Sequence, residues 1–185
     1  MPEFRRRILN GGIVEYARCR TSHTVALEDE TYCYCTLESA MPFAEYLPYA
    51  KREQERAKAA RSIEEDAADT GDLLFISTLP WLSYTALVQP VPAPADSNPR
   101  ITWGRFYAEG EKTLLPVSVL CNHALVDGLH IAALYRGVLP AARGGDGGAV
   151  HAAVRRGGPV GIVLHFFCDL FTFWHCFFAA LCIII

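Results

Sequence analysis

The chain has 185 residues, enough for one domain with a sizeable core, and carries a net charge of −3 with a sequence pI near 6.1. No Lys/Arg-rich stripe runs beside aromatic residues, so nucleic acid is not an expected partner. Seven cysteines, at 19, 33, 35, 121, 168, 176 and 182, follow no even spacing and include no Cys-x-x-Cys, which reads as free thiols in a reducing compartment.

Residues 4–38 read as short strands. Ile8, Ile13, Val14 and Tyr16 flank Asn10-Gly11-Gly12, a strong hairpin signal, and Arg5, Arg6 and Arg7 read as alternation along a solvated strand. Two further strands, Thr24–Leu27 and Thr31–Cys35, are separated by the acidic turn Glu28-Asp29-Glu30, with Cys33 and Cys35 on one face. Pro42-Phe43 opens a helical stretch to about Ala68 whose second half is mostly charged residues and Ala, a solvated surface helix with a candidate interruption near Ser62-Ile63. Leu73–Ser77 is a buried strand. After it come a strand or bend through Leu82–Val88, a Pro-rich loop over Val91–Asn98, and a strand from Ile101 to Tyr107. Glu109-Gly110-Glu111-Lys112 is a hairpin turn.

The next stretch, Leu114 to Tyr135, carries the chemistry. Its apolar run is short, rich in Val and Leu, and punctuated by Pro116 and Asn122-His123, so it reads as a buried strand. Asp127 stands where an N-cap belongs, and Leu129, Ala132 and Ala133 recur at helical spacing. A histidine is thus placed at a strand end and a carboxylate at the mouth of a helix.

His123-Ala124-Leu125-Val126-Asp127-Gly128, with His130 behind it and Ser77-Thr78-Leu79-Pro80-Trp81 upstream, resembles the chloramphenicol acetyltransferase family. The Phe4–Ile8 opening and Thr102, in the segment running to Gly110, extend the likeness over about residues 3–137. The resemblance implies an α/β (α+β sandwich) fold, a mixed sheet with helices packed on one side. It implies O-acetyl transfer from acetyl-coenzyme A to a small hydroxylated acceptor such as chloramphenicol, without a metal, by a homotrimer with each site at a subunit interface. His123 is the implied general base, its second ring nitrogen bonded to its own backbone carbonyl. An imidazole suits the task because it is neutral and still basic near pH 7. Ser77 is the implied oxyanion donor and Thr102 the holder of a water near the same oxyanion. Asp127 and Gly128 are structural, the aspartate pairing in the family with an arginine near the N-terminus. Trp81 is expected in the core and His130 in a structural role.

The chain opens at what resembles an interior strand of that fold. The fold is therefore expected to be incomplete, Asp127 to be a buried charge without its arginine, and transfer to be impaired. His-x-x-x-Asp-Gly is shared with dihydrolipoamide acyltransferase catalytic cores, an alternative disfavoured by Ser77-x-x-Pro80-Trp81 and the lack of lipoyl or linker sequence. The non-enzyme alternative is an inactive, membrane-tethered remnant.

The sequence divides into a family-like domain over 1–138, a Gly/Ala/Arg-rich linker over 139–158, and an apolar tail over 159–185. As a helix, residues 160–185 would span roughly 39 Å, enough to cross a bilayer. The alternative reading of the tail is the product of a reading-frame shift. Charged residues follow Met1 where a signal peptide has an apolar run, so the domain is expected in the cytoplasm, free or tail-anchored.

Overall fold

The computed structural model describes residues 1–64, 69–110, 112–141, 151–157 and 161–169. A single 3-10 turn at Glu3–Arg5 leads into a two-stranded antiparallel hairpin, β1 (Arg6–Leu9) and β2 (Gly12–Glu15). Its turn residues Asn10 and Gly11 both take positive φ, 51° and 76°, the backbone that a tight hairpin matching the strand twist demands.

The main sheet has eight strands: β3 (Arg20–Ala26), β4 (Tyr32–Leu37), β5 (Leu73–Leu79), β6 (Arg100–Gly104), β7 (Tyr107–Glu109), β8 (Lys112–Asn122), β9 (His151–Gly157) and β10 (Gly161–Asp169). Their order is β4-β3-β5-β6-β8-β10-β9, with β7 also on β8. It is a mixed sheet: β3–β5 and β5–β6 are parallel and every other pairing is antiparallel.

Among the described residues, two helices, α1 (Phe43–Ala60) and α2 (Gly128–Ala141), pack on the same face. α1 lies over Val25, Cys33, Cys35 and Leu37 through Ala50, Tyr46 and Leu47. α2 brings Ile131 and Tyr135, and the turn before it Leu125 and Val126, onto Ile76, Trp103, Val117, Val119 and Cys121. These strand residues alternate with others that point the other way, among them Thr24, Ser77, Thr102 and Ser118, as the period-2 pleat requires. α1 ends at Arg61, in the left-handed region with φ 53°, well short of Ala68; residues 65–68 lie outside the described ones.

Expectations for Arg7 and Trp81 fail. Arg7 is fully buried, not solvated. Its guanidinium donates to the carbonyls of Phe4 (3.0 Å), Arg6 (2.7 Å) and Leu73 (2.9 Å). The Leu73 carbonyl belongs to a strand 66 residues away, so no local pattern could announce the contact. Burial lowers the guanidinium's pKa. Trp81, expected in the core, is 64% exposed, because the chain leaves the sheet at Pro80.

Residues 161–169 form a strand along the whole inner length of β8, Gly161 opposite Asn122 and Asp169 opposite Leu114. This stretch, read from sequence as tail or membrane helix, is dense in Val, Ile and Phe, which favour a strand when a free sheet edge is on offer. Residues 151–157 of the expected linker pair beyond it. No helix among the described residues is long and apolar enough to cross a membrane; residues 170–185 lie outside them.

Candidate active site

β5 and β6 are adjacent and parallel, so their connection must cross over. It does so as residues 80–99, without a helix, on the face that the helices leave free. Segment 82–84 lies directly on β6. A Cβ added at Gly104 would stand 2.5 Å from the Leu82 carbonyl oxygen and 2.7 Å from the Tyr84 ring, so only glycine permits this approach. The Tyr84 hydroxyl donates to the Thr102 carbonyl at 2.9 Å and is hydrogen-bonded to the Ser118 side chain; burial raises its pKa.

Beyond Tyr84 the crossover roofs a cavity of about 630 Å³. Leu87 to Pro92 form the roof. The floor is the sheet, with Thr24, Phe75, Ser77, Arg100 and Thr102. Strand register explains the floor. Ser77 is opposite Thr102, and Thr102 is opposite Ser118. Thr24 pairs with Tyr34 on its other side and lies 3.5 Å from Ser77, Oγ1 to Oγ. A row of hydroxyl-bearing residues therefore crosses the sheet at the strand spacing of about 4.8 Å. If Thr24 donates to Ser77, the serine's own proton remains free for an acceptor in the cavity. His165 occupies the next register position, opposite Ser118.

The sequence picked out Ser77 and Thr102 separately, and the fold sets them side by side. Thr24, Tyr34, Ser118, Gln89 and Arg100 were missed. Residue types common on any strand or loop become a site only when register and crossover are known.

His123 is elsewhere. It follows the end of β8, exposed, in a turn closed by Leu125 N–H and Val126 N–H on the Asn122 carbonyl, 3.1 and 3.0 Å. Its Nδ1 faces the Val126 carbonyl oxygen at 3.4 Å, not its own carbonyl as expected. At that length the contact is weak; a carbonyl oxygen only accepts, so the contact suits a tautomer with its proton on Nδ1. Ser118, in the hydroxyl row, is five positions back along the same strand. At about 3.4 Å per residue its backbone lies about 17 Å along the strand from that row. The chain does not bring His123 to Ser77.

Asp127 is half-exposed, and the expected buried, unpaired charge is not there. Its Oδ1 accepts the N–H groups of Leu129 (2.8 Å) and His130 (3.2 Å) at the start of α2. In return the Asp127 N–H donates to His130 Nδ1 at 3.1 Å. This is a capping box with histidine where Glu or Gln is usual. These backbone donors, that of His130 foremost, hold the carboxyl below its ordinary pKa. Gly128 is the first residue of the helix. Among the described residues no three His, Cys, Asp or Glu side chains group so as to hold a metal ion. Cys121, behind the sheet, is buried and its thiol pKa is pushed up to about 12.

The family model for chloramphenicol acetyltransferase matches residues 1–138. The chain belongs to the chloramphenicol acetyltransferase family. Among curated relatives, a chloramphenicol acetyltransferase of Klebsiella sp is 27% identical over 137 residues, and one of Escherichia coli is 28% identical over 138. Each match covers 70% of this chain and 60% of the relative, so the chain spans less than two thirds of those proteins. Among solved structures, a chloramphenicol acetyltransferase superposes with a TM-score of 0.57 at 19% identity, covering 73% of this chain and 67% of the other. The dihydrolipoamide acetyltransferase of Azotobacter vinelandii gives 0.58 at 18% identity, covering 74% and 59%. Both likenesses establish the fold.

Proposed function

We propose that the chain is an O-acetyltransferase that moves the acetyl group of acetyl-coenzyme A to a hydroxyl of a small acceptor such as chloramphenicol. Family membership supports the reaction class. The observation that carries the site is the Ser77–Thr102 pair on the floor of a cavity of about 630 Å³, roofed by the crossover loop.

In this reading Nε2 of His123 takes the proton of the acceptor hydroxyl as its oxygen attacks the thioester carbonyl. The Ser77 hydroxyl donates to the oxyanion that forms, and Thr102 holds a water beside it. Collapse breaks the carbon–sulfur bond, and the proton on Nε2 passes to the departing thiolate. Asp127 takes no proton; with Gly128 it sets the turn that presents the imidazole. The separation of about 17 Å within one chain is the reason to assign the base and the cavity of one site to two subunits, in a homotrimer. A thioester co-substrate of this kind favours a cytoplasmic reading of the reaction.

The test is thiol release from acetyl-coenzyme A with chloramphenicol as acceptor. His123→Ala should abolish turnover while leaving the melting temperature unchanged, since His123 is exposed. Ser77→Ala should lower kcat about 10²- to 10³-fold, the usual cost of one oxyanion donor. Full turnover by either variant would remove that residue from the mechanism.

A further inference from the structure

The cavity roof carries a donor with nothing to donate to among the described residues. Gln89 lines the cavity, and its Nε2 is buried with no hydrogen-bond partner among the described residues. A buried amide N–H without a partner is costly and rare, and in a cavity wall it points to an oxygen that arrives with a ligand. Its neighbours Val88, Pro90, Val91 and Pro92 offer only apolar side chains. Across the cavity, Arg100 is held by Asp96 through two bonds of 2.7 Å, and its guanidinium lies over the Phe75 ring at 4.9 Å. That ion pair is closed on itself, so a carboxylate would have to displace Asp96 to use the guanidinium. An uncharged oxygen meets no such competitor at Gln89.

We propose that Gln89 is a specificity-determining residue. Its side-chain amide donates to an uncharged oxygen of the acceptor (a carbonyl, nitro or ether oxygen) distinct from the hydroxyl that is acetylated. The acceptor class is thus a neutral alcohol with a second oxygen-bearing group, gripped by the crossover loop while its hydroxyl lies towards Ser77. This inference rests on the reading of the cavity as the acceptor site. A site built around such a donor rejects analogues that lack the matching oxygen, because the amide is then left unpaired.

The experiment is a titration of 15N-labelled protein with chloramphenicol, which carries amide and nitro oxygens besides its hydroxyls. It is followed by NMR and by calorimetry. The Gln89 side-chain amide pair is assigned by its loss in Gln89→Leu. The expected result is a downfield shift of that pair on binding. Gln89→Leu, which keeps the size and removes the donor, should weaken Kd about tenfold or more. Gln89→Glu, with an acceptor in place of the donor, should weaken it at least as much. An unmoved Gln89 pair and unchanged Kd values, with the backbone signals of Phe75 and Thr24 still shifting, would overturn the role of Gln89 and leave the acceptor site standing. No shift at any cavity residue in the wild type would overturn both.

Discussion

Two inactive variants of this chain should restore one another when they assemble together. In β8, Ser118 is in register with Thr102 and His123, just past the strand end, lies five positions further on, which puts its backbone about 17 Å along the chain from the hydroxyl row. Ser77 stands one more strand away. A base must come within about 3 Å of the proton that it removes, and neither side chain closes such a gap. If each site takes its imidazole from one subunit and its cavity from the next, His123→Ala and Ser77→Ala damage opposite sides of it. In an equal, random mixture about a quarter of the interfaces pair an intact His123 with an intact Ser77. The two variants are mixed in denaturant, refolded together and assayed by thiol release from acetyl-coenzyme A, with sedimentation to establish that mixed oligomers form. About a quarter of the rate of wild type refolded alike is expected, and almost none when the variants are refolded apart and then combined. Mixed oligomers no more active than the separate variants would refute the division of the site between subunits.

Three further outcomes follow from the packing. His23 is buried, with Nε2 2.8 Å from Thr21 Oγ1, and burial lowers its pKa from 6.5 to about 4. The unfolded chain therefore binds a proton that the folded chain refuses, and stability should fall by about 3 kcal/mol as pH drops from about 6.5 to 4. Urea melts across that range should show the loss, and a flat profile would contradict it. Gly104→Ala should destabilise by about 1–3 kcal/mol, because its methyl meets the Leu82 carbonyl and the Tyr84 ring; an unchanged melting temperature would show that the crossover loop yields freely. Deleting residues 142–185 should speed hydrogen exchange at the β8 amides while those of β5 keep their protection, since β10 pairs with β8 alone of the central strands. Equal exchange in both proteins would mean that β10 contributes nothing to the edge.

Much of the local structure was legible from the chain. Asn10-Gly11 announces its hairpin through backbone that few residues adopt. The strand, turn and helix around His123 and Asp127 are written in consecutive residues, although the apolar pattern of Leu129, Ala132 and Ala133 misplaces the buried face, which Ile131 and Tyr135 carry while Leu129 is exposed. What escaped depends on residues distant in sequence. Arg7 is buried because the Leu73 carbonyl waits for it. The hydroxyl row of Thr24, Ser77, Thr102 and Ser118 exists only once four strands are in register. The Pro-rich loop looked like a connector, and the parallel β5–β6 pair makes it a roof. Residues 161–169 have a composition that suits a membrane helix equally well, and only the free edge of β8 decides for a strand. Asp127 was legible as the cap of α2, and only its expected burial fails, since the carboxylate lies at the surface on the N–H groups of Leu129 and His130.

Both helices lie on one face of the sheet, so each strand is divided between two tasks. Along β5, Ile76 and Thr78 face the helices, while Phe75, Ser77 and Leu79 face the cavity. Substitutions at alternate positions of one strand should then have different fates. Changes beneath the helices are judged by whether the protein survives at all, and changes beneath the crossover loop by what the protein accepts. If the cavity takes the acceptor as proposed, a lineage can drift from one acceptor to another through residues such as Phe75 and Gln89 without spending its narrow margin of stability. The loop that joins the two parallel strands is where such drift meets the least resistance.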